Sequence, residues 1–236
     1  MTFNIIGFIL PEITIAIGIC SVILVNSLVK KITPGFIHGL ILLFLSLGLF
    51  FSFVSLEIPD NTIFNGHYAI DSFGTNLKII ALIAAILVHL SSVKSKQNIK
   101  NEIFLIQLFA TLGVLILCSA QNLLTVYLGL ETLTLSMYGI VASNRNSIDA
   151  TESAMKFFVL GAIASAIFLY GISILYGVTG TLSLDTIKGS LMLDTLEMRV
   201  AVAFIACGII FKFGAFPFHS WVPDSYQGSN TTAAIY

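Results

Sequence analysis

Apolar residues in this chain run in blocks about twenty long, separated by short polar connections, without the strict alternation that marks a half-buried strand. A helix needs about 20 such residues to cross the hydrocarbon core of a bilayer. On that length the pattern predicts seven crossings, at residues 5–28, 36–56, 73–90, 103–120, 122–142, 153–178 and 196–218, with an eighth beginning near Asn230. Turn-forming residues punctuate the blocks: Thr33-Pro34-Gly35, Pro59-Asp60-Asn61, Asn144 to Asn146 and Gly189-Ser190. Residues 180–197 form the longest polar connection, with room for a short interfacial helix. The fold class expected is therefore an all-α, polytopic membrane protein, without internal repeats or an extramembrane domain of folding size.

Composition agrees. Apolar residues make up 57% of the chain and charged residues 10%, against roughly 45–50% and 25% in soluble domains. A net charge of −1 excludes a basic nucleic-acid binder. Basic residues mark the loops unequally: Lys30, Lys31, Lys94, Lys96, Lys100 and Arg145 fall in odd-numbered loops, whereas Lys188 stands in an even-numbered one. The positive-inside tendency then places the odd loops in the cytoplasm or matrix and the N-terminus outside. Lys78, Lys156 and Arg199 lie near the ends of crossings and are expected to snorkel, with Glu12 at the outer interface. The first block carries Glu12 and lacks a basic leader, unlike a signal peptide. Cys20, Cys118 and Cys207 stand singly in apolar blocks, so zinc, haem-c and iron–sulfur motifs find no support, and neither do phosphate-binding or hydrolase motifs.

Against this background two charges stand out. Lys212 lies within the apolar block 201–219, and Glu131 lies nine residues into the block starting at Asn122, about 13–14 Å deep at 1.5 Å per residue. A charge at the bilayer centre costs about 2.5–3.5 kcal/mol even on insertion scales. Tyr127, Thr134 and Tyr138 share the face of Glu131 and can solvate it. Pro217 has no N–H for the carbonyl of Phe213, which predicts a freed acceptor beside Lys212, with Gly208 and Gly214 leaving space for water or another helix. Contact with an ionised Glu131 would hold a proton on Lys212, and separation would release it; a structural acid and a snorkelling lysine are the competing readings. Glu152 and Lys156 form an i, i+4 pair, equally suited to starting a helix, and His219 is an interfacial hydrogen-bonder or a relay. Gly161-x-x-x-Ser165 and Ala162-x-x-x-Ala166 offer small faces for helix packing.

Three stretches carry more specific information. Residues 152–184 (ESAMKFFVLGAIASAIFLYGISILYGVTGTLSL), 211–229 (FKFGAFPFHSWVPDSYQGS) and 129–138 (GLETLTLSMY) closely resemble the antiporter-like proton-pumping subunit 2 family of respiratory complex I, NADH:quinone oxidoreductase. The resemblance extends over the whole chain and is weakest across the first three crossings. It implies fourteen helices with two inverted five-helix repeats, each containing a broken helix. On that mapping residues 1–102 supply three leading helices, and residues 103–236 supply most of the first repeat, a half-channel with a broken seventh helix. Glu131 matches the family's glutamate of helix five and Lys212 its lysine of helix seven. Glu152 and Lys156 match ionisable positions of helix six, and His219 the histidine of the PFHxW motif.

The implied function is proton translocation coupled to electron transfer from NADH to quinone. The implied cofactors (NAD, FMN, iron–sulfur clusters and ubiquinone) belong to other subunits, none to this chain. The implied partners are the other membrane-arm subunits and lipids, with no nucleic acid. Two features depart from the family: Gly228 is followed by SNTTAAIY without proline, and the chain stops before the helix-eight lysine and the second repeat. The expectation is a divided subunit completed by a second chain carrying the remaining helices, or a reduced one. A mitochondrial inner membrane is expected, with a bacterial plasma membrane as the alternative. A non-conducting structural subunit and a component of a related multisubunit cation/proton antiporter remain competing functions.

Overall fold

Helices make up most of what the computed structural model describes, namely residues 9–28, 34–94, 101–143, 148–190 and 195–229. In chain order these are α1 (Leu10–Leu28), α2 (Pro34–Ser55), α3 (Ser72–Lys94), α4 (Asn101–Cys118), α5 (Leu123–Val141), α6 (Ile148–Thr179), α7 (Leu184–Ser190), α8 (Leu196–Lys212) and α9 (Trp221–Gly228). A hairpin of β1 (Asn61–Ile63) and β2 (Tyr68–Ile70) lies between α2 and α3. Helices α1, α2, α3, α5 and α6 are long and apolar enough to cross a membrane. Among the described residues these five do not confirm the expected count of seven crossings. Apolar α4 is shorter, and α8 stops after 17 residues, about 25 Å at 1.5 Å per residue against about 30 Å of hydrocarbon. The expected eighth crossing lies outside the described residues, as do Lys30, Lys31, Lys96, Lys100 and Arg145.

Each helix turns one face to a neighbour and leaves large apolar side chains pointing outward, among them Leu24, Phe50, Leu87, Leu128 and Tyr170. Such an exterior suits hydrocarbon, where close packing of small residues takes over from water exclusion in holding helices together. Inside, Ile15, Ile19, Ile41, Leu45, Leu82, Phe104 and Leu108 join α1 to α4 in one core. Phe168, Ile172, Leu175, Met198 and Ala201 form a second core between α6 and α8. Between α4 and α5 the backbones nearly touch: a Cβ on Gly113 would stand 2.7 Å from the amide nitrogen of Leu133.

Local chemistry sets the ends that matter. Asn122 caps α5 by accepting from the Leu124 N–H at 2.9 Å, and Thr195 caps α8 by accepting from the Met198 N–H at 3.3 Å. The break after Lys212 arises differently from the expectation. Gly214 takes the left-handed conformation, φ +60. Its N–H donates to the Phe211 carbonyl at 2.9 Å, and the Ala215 N–H donates to the Ile210 carbonyl at 3.1 Å. That pair of bonds is the glycine-terminated helix ending known as the Schellman motif. The helix has therefore stopped before Pro217 can act, and the carbonyl of Phe213 is not the acceptor that matters. The Trp221 indole N–H instead reaches the Phe211 carbonyl, at 3.2 Å.

At the end of the molecule where α5 begins, extended segments lie side by side. The Ala69 N–H donates to Ser119 O (2.8 Å) and the Gln121 N–H to His67 O (3.2 Å), joining the hairpin to the α4–α5 link. The Leu123 N–H donates to Leu182 O (3.0 Å) and the Leu184 N–H to Gln121 O (3.1 Å), joining that link to the α6–α7 link. The long connection holds α7, as its length allowed, and that helix ends at the expected boundary, Gly189-Ser190.

Candidate functional site

Because α8 ends at Lys212, the lysine's long side chain leaves the last turn free to cross toward α5 and α6. Its ammonium donates to Ser165 Oγ at 2.9 Å, to Thr134 Oγ1 at 3.1 Å and to Glu131 Oε1 at 3.3 Å. Ser165 in turn donates to Glu131 Oε1. The Lys212 side chain is 8% exposed and that of Glu131 21%. Two expected residues therefore face each other, with Ser165 between them.

Of the hydroxyl stripe expected around Glu131, Thr134 accepts from Lys212 and donates to the backbone carbonyl of Leu130. Tyr127 stacks on Phe168, and Tyr138 packs edge-on against Phe157 and Phe158. The close approach that brings Ser165 in is made by Gly161, where a Cβ would overlap the Tyr138 hydroxyl at 1.9 Å.

A cavity of about 260 Å³ adjoins the pair. Lys212, Thr134, Ser225 and Ser229 are among its lining residues, with Trp221 and Phe157 among the apolar ones. Trp221 stacks on Phe157 with 4.3 Å between centroids. The buried Ser225 Oγ has no partner among the described residues. A space this large with several polar groups in its lining suits water, since a liquid water occupies about 30 Å³.

The remaining expected residues sit elsewhere. Lys156 bonds Glu152 at 2.8 Å and also Asp224 of α9 at 3.0 Å, all three side chains being well exposed. Asp224 was not singled out from the sequence. Its link to Lys156 ties α9 to the start of α6, where Gly228 also presses against Ser153. His219 is exposed beside Phe216, in the segment between α8 and α9, apart from the Glu131–Lys212 pair.

Two placements are corrected. Neither side chain reaches out to water as expected: those of Glu12 and Lys78 are 6% and 4% exposed and bonded to each other at 2.7 Å. Tyr68 completes the group, donating to Glu12 Oε1 at 2.6 Å and accepting from Lys78 at 2.7 Å. Both charges occupy the first two turns of their helices, and the hairpin folds Tyr68 over them, so neither reaches water. Burial, reinforced by the charge of Glu12, pushes the Tyr68 phenol well above its ordinary value and keeps it a donor.

This geometry has relatives. The family model for the membrane domain of NADH:quinone oxidoreductase and Mrp antiporters matches residues 120–235. NADH-quinone oxidoreductase subunit N of Thioalkalivibrio sulfidiphilus is 36% identical over 100% of this chain and 51% of its own length. Among solved structures, a chain of respiratory complex I from Thermus thermophilus superposes with a TM-score of 0.79 at 30% identity, over 95% of this chain and 48% of that one. A chain of the Mrp complex from Dietzia sp. shares the fold, with a TM-score of 0.81 at 16% identity, over 98% of this chain and 45% of that one. The chain thus spans about half the length of the relatives it matches. These relatives are bacterial, which agrees with the alternative location and lends nothing to the mitochondrial one.

Proposed function

Because the chain belongs to the family of membrane subunits shared by NADH:quinone oxidoreductase and Mrp antiporters, we propose that it serves in the membrane arm of a bacterial NADH-quinone oxidoreductase and moves protons through the Glu131–Lys212 site. The observation that supports this most is the Lys212 ammonium itself, shared among Ser165, Thr134 and Glu131 beside a partly polar cavity. An ammonium buried in hydrocarbon needs compensation, and here the compensation comes from a group that can move. With Glu131 close, Lys212 keeps its proton. Drawing Glu131 away, or neutralising it, lets that proton pass to water in the cavity. Ser165, bonded to both groups, carries the interaction across the gap. Glu152, Lys156, Asp224 and His219 are proposed to serve protons near the cytoplasmic surface, in a plasma membrane with the hairpin outside.

NAD, FMN, iron–sulfur clusters and quinone are assigned to other subunits.

The test of function is Lys212→Met in the assembled complex. We expect quinone reduction to persist while protons moved per NADH fall. An unchanged ratio overturns the proposal and leaves a structural subunit. The shared fold with the Mrp complex supports a second reading, a cation/proton antiporter component. Co-purification of flavin and iron–sulfur absorbance excludes it.

A further inference from the structure

The Glu12–Tyr68–Lys78 group takes no part in the site above, yet it is the more deeply buried ion pair. We propose that these three residues are a positioning clamp: they fasten the hairpin to α1 and α3 and, through the hairpin's backbone, hold the start of α5, the helix that carries Glu131. The residues are 5%, 6% and 3% exposed, and the three bonds between them are 2.6–2.7 Å long. Glu12 Oε2 is buried without a partner among the described residues, so both of the carboxylate's bonds run through Oε1. Glu12 comes from α1, Lys78 from α3 and Tyr68 from β2. No two belong to the same element, so each bond restrains one element against another.

From Tyr68 the restraint continues without a gap. The next residue, Ala69, donates to Ser119, and the preceding one, His67, accepts from Gln121. Asn122 follows directly and caps α5, while the Gln121 carbonyl accepts from Leu184, the first residue of α7, and the Leu123 N–H donates to Leu182. A second support comes from α3, whose Gly74 packs so closely on the end of α4 that a Cβ would lie 2.5 Å from the Cys118 carbonyl. The clamp therefore bears on the α4–α5 link from two sides. Removing one partner of a buried pair strands the other charge, whereas removing both relieves that penalty. This difference separates a charge needed for folding from a clamp needed for position.

The experiment is amide hydrogen exchange on the purified full chain in detergent, comparing wild type with Glu12→Gln, Lys78→Met and the double variant. Protection is followed at residues 119–124 and 181–184, far along the chain from both substitutions. We expect exchange there to quicken about tenfold in all three variants, because all three lack the clamp. The double variant should nevertheless recover the yield and thermal stability that the single variants lose. Unchanged protection at 119–124 and 181–184 overturns the clamp, and so does recovery of that protection in the double variant, which would mark the pair as a folding charge alone. Glu12→Asp, which keeps the charge, should restore part of the protection. Exchange is independent of proton pumping, so this outcome stands whether or not Lys212→Met alters the proton ratio.

Discussion

Ser165 is the residue on which the Glu131–Lys212 geometry turns. At 3.3 Å the direct contact between ammonium and carboxylate is long, and the shorter contacts of both groups go to the serine hydroxyl. Hydrogen bonds to charged groups contribute about 1.5–3 kcal/mol, so Ser165→Ala should destabilise the chain by about that amount, measurable as a lower thermal midpoint in detergent. In the assembled complex the same variant should reduce proton translocation more than quinone reduction. Ser165→Thr, which keeps the hydroxyl, should recover most of both. Glu131 and Lys212 were legible in the sequence because a charge in a twenty-residue apolar run is costly anywhere. Ser165 was not, since a serine in a small-xxx-small pattern signals close packing whether or not its hydroxyl meets a charge. Glu12 and Lys78 were misplaced for a related reason. Position near a helix end suggests access to water, and nothing in either residue announces that a hairpin will cover it.

Among the elements, the broken helix shows how a correct expectation can rest on a wrong cause. Pro217 suggested a break, but Gly214 makes it, three residues earlier and through backbone bonds that any sequence with glycine there could form. The position of Lys212 at the last turn follows from that glycine. Gly214→Ala must hold a side chain in the left-handed region, at about 1–2 kcal/mol, and its Cβ would meet Val222 at 2.4 Å. We expect the variant to lower the thermal midpoint and to weaken proton translocation by shifting Lys212, whereas Pro217→Ala should leave the end of α8 in place, as judged by hydrogen exchange at Gly214 and Ala215. The hairpin is the element that hydropathy hid. Its strands are three residues each, too short for an alternation to register. Asn65-Gly66, a pair that favours the left-handed turn and adopts positive φ here, was nevertheless a readable signal.

For the molecule as a whole, polar groups are gathered at separated stations within an apolar frame. The buried Glu12–Tyr68–Lys78 group lies at the hairpin end, the Glu131–Ser165–Lys212 group lies within the helices, and the exposed Glu152–Lys156–Asp224 group lies where the start of α6 meets the first turn of α9. Helix directions order them. Helix α5 begins at the hairpin end and α6 returns toward it, so the hairpin and the start of α6 fall on opposite sides of any membrane these helices cross. The orientation proposed from the charge pattern of the loops has the hairpin outside. Single cysteines test that assignment in a cysteine-free background: Asn65→Cys in the hairpin turn and Ile148→Cys at the first, 83% exposed residue of α6. In intact cells a membrane-impermeant maleimide should label Asn65→Cys. Ile148→Cys should react with it after the membrane is opened. The reverse pattern would invert the orientation and place the exposed acidic and basic residues of α6 and α9 outside, which would remove them from a cytoplasmic proton-uptake role while leaving the Glu131–Lys212 geometry as it stands. Labelling of both cysteines in intact cells would contradict an odd number of crossings between them, because α3, α4 and α5 all lie between the two sites in the chain.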